Sequence, residues 1–497
     1  MLVRNIVFTN QFRLRREFPL TSGISTQRDS GATALVVRGN LTSRGQWINT
    51  PSSTNTERNS YYDTGAKYQH ADFNNNPTAY SYDNAYAGAY LTKTQLPTTG
   101  SVTHTVSAQY DFDTGAMTSY TDQNNQTARY SYDALLRFMN ASFPDGGCTQ
   151  LSYPTFTSVL KTICMNSTQS VRLTTNFDGL SRPVNTVLSE DGSSNIFTRI
   201  AYDGQGRKAR VWNASRCDQR TTTSCAGETT SGSTQFLYDG LGRQTLLIPA
   251  DGSASANNES TGYSGNVATT TDEAGNQWSR TSDALGRLTK VLEPNGSGTA
   301  PSMESDYVYD ALNNLLSVKQ WGGASGVSGA ISRSFAYDSL SRLITSTNPE
   351  TGTICYGTMG GAPATAGSCT PGYDGNGNLQ AKTDARGITI TYTYDGLNRL
   401  KFKHYSDGTT AGFGYDGLTS DGNVLSDSTY ATGRLSHVSN YVNADSRFGY
   451  GPMGRVQLQT NCLPDNCGNR VATTVLYDLA GNMIDLTYPS GRHIKQI

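Results

Sequence analysis

A six-residue pattern recurs along the chain. Its first two positions are an aromatic residue and Asp, the next two vary, the fifth is usually Gly or Asn, and the sixth is Arg or Asn. Two clear copies are YDGLGR from Tyr238 and YDGLNR from Tyr394. Internal repetition of this kind limits the fold to an array in which each copy builds the same small unit. The copies begin at Tyr132, Phe177, Tyr202, Tyr238, Ser282, Tyr309, Tyr337, Tyr373, Tyr394 and Tyr477, with weaker ones at Tyr62, Tyr82, Tyr415 and Tyr450.

Each hexamer predicts a chain reversal between two strands. The residues before it, such as TYTY ending at Tyr394, alternate with the period of a strand. Asp is favoured as the first residue of a type I turn, and Gly or Asn three positions later tolerates the left-handed backbone. The residues predicted to form structural turns are Tyr132, Asp133, Tyr202, Asp203, Gly206, Arg207, Tyr238, Asp239, Gly242, Arg243, Asp283, Gly286, Arg287, Tyr337, Asp338, Arg342, Tyr394, Asp395, Arg399, Tyr477, Asp478 and Gly481.

Some turns come in linked couples with one common spacing, which accommodates one strand and one turn. The couples are Asp122 with Asp133, Asp272 with Asp283, and Asp384 with Asp395. Successive hairpins are therefore expected to alternate between the two edges of a continuous antiparallel sheet. The fold class predicted is all-β, with few or no helices.

Composition favours the same fold and excludes several functions. The chain has 51 Gly and 29 Tyr, while hydrophobic residues make up 35% and charged residues 16%, which suits strands and turns better than amphipathic helices. With 39 basic and 40 acidic residues the net charge is −1, so no basic field attracts nucleic acid. No run of about 18 apolar residues is present, so we expect no membrane insertion.

The eight cysteines fall into local pairs, each of which brackets a polar, turn-rich segment. Closing each segment with a disulfide would staple a loop between strands. Such pairing favours an oxidising, extracellular or cell-surface location, whereas free thiols in a reducing cytosol are the alternative. The predicted disulfides are Cys148 with Cys164, Cys217 with Cys225, Cys355 with Cys369, and Cys462 with Cys467.

The hexamers, together with YPSGR near the end, resemble the RHS/YD-repeat family from about Tyr62 onward. The resemblance implies strands wound into a spiral sheet that encloses a hollow shell. In bacterial toxin complexes and polymorphic toxins such a shell holds a C-terminal toxin, and in animal teneurins a related shell supports adhesion. The family's core segment with a DPxGL-like motif and its self-cleavage site have no match here, so the resemblance implies no protease.

Residues 1–60 are interpreted as a divergent N-terminal β segment, and residues 61–497 as a repeat array truncated at its C-terminal end. The function expected is that of a non-enzymatic wall segment of a secreted shell, used for encapsulation or surface display. The alternative is an extracellular adhesin or fibre that binds glycan or neighbouring subunits. The partners expected are the remainder of a longer polypeptide or an enclosed C-terminal cargo.

Other chemistry finds little support, and no catalytic, cofactor or metal residue is predicted. The triplets Asp63-Thr64-Gly65 and Asp113-Thr114-Gly115 imitate an aspartic protease but lie too close together for two lobes. A calcium loop at Asp374 lacks the required Gly and terminal acid. The five histidines are scattered, which disfavours zinc. The tryptophans that remain as candidates for stacking on a sugar are Trp47, Trp212, Trp278 and Trp321.

Overall fold

The structure, a computed structural model, describes residues 6–7, 39–49, 52–62, 64–189, 195–216, 232–296, 299–323, 329–359, 369–440, 444–462, 467 and 469–496. Within these ranges the regular structure consists of 39 β-strands and one short 3-10 helix at Asn84–Tyr86. No helix in the described ranges has the length and apolar character needed to cross a membrane. Cys217 and Cys225 lie outside the described residues, as does Asp63.

The strands of the first third are β1 (Ile6–Val7), β2 (Ser43–Asn49), β3 (Ser52–Tyr61), β4 (Lys67–Ala71), β5 (Pro77–Tyr82), β6 (Leu91–Thr99), β7 (Val102–Tyr110), β8 (Met117–Thr121), β9 (Thr127–Tyr132), β10 (Phe138–Ser142), β11 (Cys148–Thr155), β12 (Ser158–Cys164) and β13 (Ser170–Phe177). They are followed by β14 (Pro183–Ser189), β15 (Ile196–Tyr202), β16 (Lys208–Ser215), β17 (Ser233–Tyr238), β18 (Gln244–Ile248), β19 (Glu259–Ser264), β20 (Val267–Thr271), β21 (Gln277–Ser282), β22 (Leu288–Pro294), β23 (Pro301–Tyr309), β24 (Leu315–Gln320), β25 (Ile331–Tyr337) and β26 (Leu343–Asn348). The last are β27 (Gly352–Cys355), β28 (Gly357–Met359), β29 (Cys369–Pro371), β30 (Ala381–Thr383), β31 (Thr389–Tyr394), β32 (Leu400–Tyr405), β33 (Thr410–Tyr415), β34 (Leu435–Ser439), β35 (Asp445–Tyr450), β36 (Val456–Cys462), β37 (Val471–Tyr477), β38 (Met483–Thr487) and β39 (His493–Lys495).

Of these strands, 37 belong to one antiparallel sheet, and β28 and β29 form a separate two-stranded sheet. The prediction of an all-β fold built as one continuous antiparallel sheet is confirmed. Strand formation follows the alternation in the sequence: in β31, Thr391 and Thr393 are exposed while Tyr392 and Tyr394 are half-buried. Thr and aromatic side chains suit such a half-buried pleated surface.

The chain divides into two compact units. Unit one comprises Met1–Cys148, Tyr337–Thr345 and Thr353–Ile497. In it, β1 to β10 pair antiparallel in chain order. β27 pairs with β30, and β30 to β39 then follow in order. Strand β3 runs across residue 60, so strand pairing continues through the boundary interpreted from the sequence.

Unit two comprises Thr149–Ala336 and Ser346–Gly352. In it, β11 to β25 pair antiparallel in chain order, each strand with the next one along the chain. Every hexamer of this unit therefore connects two neighbouring strands, as a hairpin turn must.

Fully buried side chains are few and mostly polar among the described residues. The largest side chains with less than 2% exposure are those of His104, Thr383, Cys355 and Ser436, and the buried apolar residues are scattered along the chain. A sheet with so little apolar core depends on the backbone hydrogen bonds between its strands. It also depends on hydrogen bonds that polar side chains make with nearby groups. The hexamer turns supply many of these contacts.

Candidate functional site

Each of the ten clear hexamers closes its hairpin through the aspartate. In the copy at Tyr238, the Asp239 amide donates to the Arg243 carbonyl (2.9 Å), and the Gly242 amide donates to the Asp239 carbonyl (3.0 Å). Oδ1 of Asp239 accepts from the amides of Leu241 and Arg243, both at 2.9 Å. The carboxylate thus holds the turn by satisfying amides at the point where the chain reverses.

The arginine that ends the hexamer pairs with the same carboxylate. Arg243 Nε donates to Oδ2 of Asp239 over 2.8 Å, and Nη2 lies 2.7 Å from the same oxygen. Hydrogen bonds from the Arg243 amide, and then from its guanidinium, lower the pKa of Asp239. The same ion pair forms between Asp133 and Arg137, Asp178 and Arg182, Asp203 and Arg207, Asp283 and Arg287, Asp338 and Arg342, and Asp395 and Arg399.

The residue three positions after the aspartate takes the left-handed backbone conformation. Where it is glycine, φ is 84° at Gly206, 83° at Gly242, 79° at Gly286 and 98° at Gly481. Other residues take the same conformation: φ is 59° at Leu136, 62° at Ser341 and 60° at Asn398. The sequence rule of Gly or Asn was therefore too narrow, because the turn's hydrogen bonds outweigh the backbone strain of Leu or Ser there.

Tyrosine and arginine join each hairpin to the next one. The Arg207 guanidinium stacks 4.4 Å from the ring centroid of Tyr238, and its Nη1 donates to the Asp239 carbonyl over 3.3 Å. In return, Tyr238 Oη donates to the Lys208 carbonyl over 2.8 Å. Tyr, Asp and Arg of the hexamer thus form one connected ladder of contacts. This explains why these three positions recur while the third and fourth positions of the hexamer vary.

The stacking recurs in both units, and each instance contributes roughly 0.5–1 kcal/mol at exposed sites. In unit two the further pairs are Arg182 with Tyr202, Arg243 with Tyr263, and Arg287 with Tyr309. In unit one they are Arg342 with Tyr373, Arg399 with Tyr415, Arg434 with Tyr450, and Arg455 with Tyr477.

Within unit one, early turns contact late turns across long sequence distances. Asn74 Nδ2 donates to Oδ2 of Asp374 over 2.8 Å. Asn124 Nδ2 donates to the Thr432 carbonyl, and the Thr432 amide donates to Oδ1 of Asn124, both over 2.9 Å. We call this contact the turn seam. On one side it comprises the turns at 72–76, 97–100 and 122–126, and on the other side residues 374–378, 396 and 416–434.

A buried polar cluster lies in the turn seam. Asp416 accepts hydrogen bonds from Thr99 Oγ1 (2.8 Å) and from Arg399 Nη1 (3.0 Å) and Nη2 (2.6 Å). His104, fully buried, lies 2.6 Å through Nε2 from Thr99 Oγ1 and 2.8 Å through Nδ1 from Gln123 Oε1. Burial would raise the pKa of Asp416, but hydrogen bonds, led by those from Arg399, lower it. The arginine thus compensates the buried carboxylate.

Sequence reasoning missed this Asp416 cluster. It treated His104 as one scattered histidine and Tyr415-Asp416 as a weak hexamer. The hydrogen bond between Thr99 and Asp416 joins residues 317 positions apart. No local pattern signals such a contact, because it depends on which two turns meet at the seam.

Five of the six cysteines that the structure describes lie at strand ends, and Cys467 lies in a turn. Cys355 is bonded to Cys369, with Cα atoms 5.6 Å apart, and Cys462 to Cys467, with Cα atoms 4.7 Å apart. Cys148, which begins β11, and Cys164, which ends β12, are also disulfide-bonded. These bonds join turn-rich segments to strand ends.

The residues weighed for other chemistry have structural partners. Oδ2 of Asp374 accepts amide hydrogen bonds from Asn378 and Asn74, both over 2.8 Å. Asp113 is exposed in a turn. In the part of the chain that the structure describes, no group of three or more His, Cys, Asp or Glu side chains could hold a metal ion.

The four tryptophans have different surroundings. Trp212 is stacked by Arg199 (4.6 Å) and by Arg210 (5.5 Å). Trp321 Nε1 donates to Oδ2 of Asp306 over 3.0 Å. Trp47 is 45% exposed and Trp278 is half-buried. Glycan binding by these side chains stays a prediction.

Comparison with known proteins identifies the repeat. The family model described as RHS Repeat matches residues 373–410. A search of the curated proteins found no match. Among solved structures, TcdB2-TccC3 is similar at 13% identity and a TM-score of 0.43, over 87% of this chain and 30% of that one. A TcdB2-TccC3-TEV structure has 11% identity and a TM-score of 0.41, over 88% and 32%.

A mutant Tc holotoxin pore from Photorhabdus luminescens has 14% identity and a TM-score of 0.43, over 93% of this chain and 24% of that one. The chain thus spans less than a third of the length of these structures. The hexamer turn of Tyr373 and that of Tyr394 both lie in the segment that the family model matches. Residues 373–410 are therefore an RHS repeat, and the resemblance of this chain's hexamers to the RHS/YD-repeat family is confirmed.

Proposed function

We propose that the chain is a non-catalytic wall segment of an RHS/YD shell, used for encapsulation or surface display. The observation that carries the proposal is the ladder of Tyr, Asp and Arg. In the residues that recur most regularly, the polar groups form hydrogen bonds within the turn and with the neighbouring hairpin, as at Asp239 and Tyr238. Side chains arranged in this way build a wall.

An extracellular or cell-surface location is part of the proposal. Disulfides that close short segments, such as Cys355 with Cys369, persist in oxidising compartments. The partner is the remainder of a longer polypeptide or a C-terminal cargo enclosed by the wall. RHS repeats in toxin complexes and polymorphic toxins support this choice by resemblance.

Protease protection of the natural full-length product tests the proposal. Encapsulation predicts that a segment encoded together with the array resists protease until the array is denatured. Display predicts that protease added to intact cells removes the array. A product that neither protects such a segment nor reaches the cell surface would refute both forms of the proposal.

An adhesin or fibre is a second candidate, favoured by apolar side chains at the turn tips. Leu180 is 74% exposed, Leu241 80% and Leu285 73%. Exposed leucines at repeated turns suit contact with a neighbouring subunit. If these tips hold subunits together, replacing all three by Ser will shift the chain to monomer in analytical ultracentrifugation, whereas a solitary wall segment will sediment unchanged.

A further inference from the structure

A long excursion of the chain, residues 416–434 between β33 and β34, folds back onto the sheet; we call it the 416–434 loop. Its seat is made by two glycines of β33. A Cβ atom on Gly414 would lie 2.3 Å from the Leu418 carbonyl oxygen, and one on Gly412 would lie 2.5 Å from Ser420 Oγ. Any other residue at these positions would occupy the space that the loop fills, so the glycines allow the loop to lie against the strand.

His437 of β34 holds the loop in this seat. It pairs with Gly414 across the two strands and is only 5% exposed. Its Nδ1 accepts a hydrogen bond from the Ser420 amide over 3.3 Å. A ring nitrogen that accepts an amide hydrogen carries no proton, so the ring is neutral with its proton on Nε2. Nε2 faces Oδ2 of Asp445 at 3.4 Å.

The charges around His437 are already largely paired. Arg470 Nη2 donates to Oδ2 of Asp445 over 2.6 Å, and its Nη1 pairs with Oδ1 of the same carboxylate. Arg447 stands opposite His437 on β35, with Nη1 3.8 Å from Oδ1 of Asp427 in the loop. Asp445, Arg447 and Arg470 are therefore the charged groups that act on the ring, and the carboxylate is shared between His437 and Arg470.

We propose that His437 is an acid-sensitive catch for the 416–434 loop: the neutral ring seats the loop, and the imidazolium releases it. Once protonated, Nδ1–H and the Ser420 N–H are two donors that face each other without an acceptor. The buried ring also gains a charge, and Asp445, the carboxylate nearest to it, is already paired with Arg470. Both changes weaken the seat at Leu418 to Ser420.

Release has a consequence beyond the loop, and beyond the wall function proposed above. The loop also carries Thr432, which bonds Asn124 at 2.9 Å, and it leads into Arg434, whose Nη2 lies 3.4 Å from Oδ2 of Asp122. Both contacts belong to the turn seam of unit one. Acid would therefore loosen this seam at one defined place.

The direction of the pH dependence follows from the environment of the ring. Burial, with a smaller contribution from Arg447 and Arg470, lowers the pKa of His437 below 6.5, although Asp445 acts in the opposite direction. A group whose pKa is lower in the seated than in the released state stabilises the seated state fully above 6.5. That stabilisation is lost as pH falls from 6.5 towards the lower pKa that His437 has in the seated state. The equilibrium constant for seating falls by up to about tenfold per pH unit in this range.

Hydrogen exchange of the full chain tests the catch. The Ser420 amide reports on the seat, since it donates to Nδ1 of His437 over 3.3 Å. The amides of Thr419 and Leu425 report on the order within the loop, since they donate to the carbonyls of Asn423 and Gly417, both over 2.8 Å. We expect the protection factor at Ser420, corrected for intrinsic exchange, to fall by up to about tenfold between about pH 7.5 and about pH 5.5, whereas the amides of β31 keep theirs.

Three variants sharpen the test. His437→Asn places Oδ1 near the position of Nδ1 and cannot titrate, so the loop should stay protected at both pH values. His404→Asn, at an exposed position of β32, is the matched control and should behave as the wild type. Gly414→Ala should release the loop at both pH values by filling its seat.

Two results would overturn the proposal. One is wild-type protection at the Ser420 amide that does not change with acid, a measurement that needs no variant. The other is an acid-induced loss that persists undiminished in His437→Asn.

Discussion

Replacing Asp338 by Ala should open one hairpin of unit one far more than the same change in an exposed copy of the hexamer. The Asp338 side chain is fully buried. Its Oδ1 accepts from the amides of Leu340 and Arg342, both at 2.9 Å, and its Oδ2 accepts from Arg342 Nε at 2.6 Å. Alanine removes all three acceptor contacts and leaves the donors in place.

The magnitude follows from those three contacts. A buried donor left without its acceptor costs roughly 1–3 kcal/mol, and more when it is charged. Arg342 keeps part of its environment, because it stacks 4.7 Å from the Tyr373 ring centroid and its Nη1 reaches the Asp374 carbonyl at 3.4 Å. We therefore expect the local opening free energy to fall by about 3–5 kcal/mol, towards the lower end of the simple sum.

Hydrogen exchange at the Ser341 amide, which donates to the Asp338 carbonyl over 3.0 Å, measures this opening. Asp133→Ala is the matched control, because Asp133 is 20% exposed and its partner Arg137 is 43% exposed, so water replaces the lost contacts. The Asp133 variant should lose clearly less protection at its own turn. Equal losses in the two variants, or no loss at Ser341, would show that burial of the turn carboxylate does not set its contribution.

Other predictions follow from the same geometry. Gly242→Ala should destabilise its hairpin by roughly 1–2 kcal/mol in thermal or chemical unfolding, because φ there is 83°, while Gly240→Ala, whose added Cβ would meet no atom within 4 Å, should not. The turn seam should weaken as pH falls below 3.8, because the lowered pKa of Asp416 stabilises the folded state above that value and the stabilisation is lost as the carboxylate takes up a proton. Hydrogen exchange at the Gly433 amide, 2.6 Å from Oδ1 of Asp416, measures this loss, and protection that does not change in acid would contradict the prediction. Non-reducing peptide mapping of the natural product should find no free thiols, and recovery of free thiols would contradict the argument for export. The expected disulfide pairs are Cys148 with Cys164, Cys217 with Cys225, Cys355 with Cys369, and Cys462 with Cys467.

The sequence by itself determined the local unit of this protein. Asp239 and Gly242 predict a reversal because a carboxylate can bind the amides two and four residues ahead, and glycine accepts the left-handed backbone. Those interactions lie within a few residues, so composition and spacing were sufficient to predict hairpins and an antiparallel sheet. The tolerance of Leu136, Ser181 and Ser341 at the same position went beyond the sequence rule.

The tertiary structure alone decided which hairpins touch and what they bury. Tyr238 reaches the Lys208 carbonyl from 30 positions away, and Thr99 meets Asp416 from 317 positions away. Contacts of this kind depend on the path of the chain between the two partners, which no short pattern encodes, and they place buried charges and histidines where the repeat itself has none.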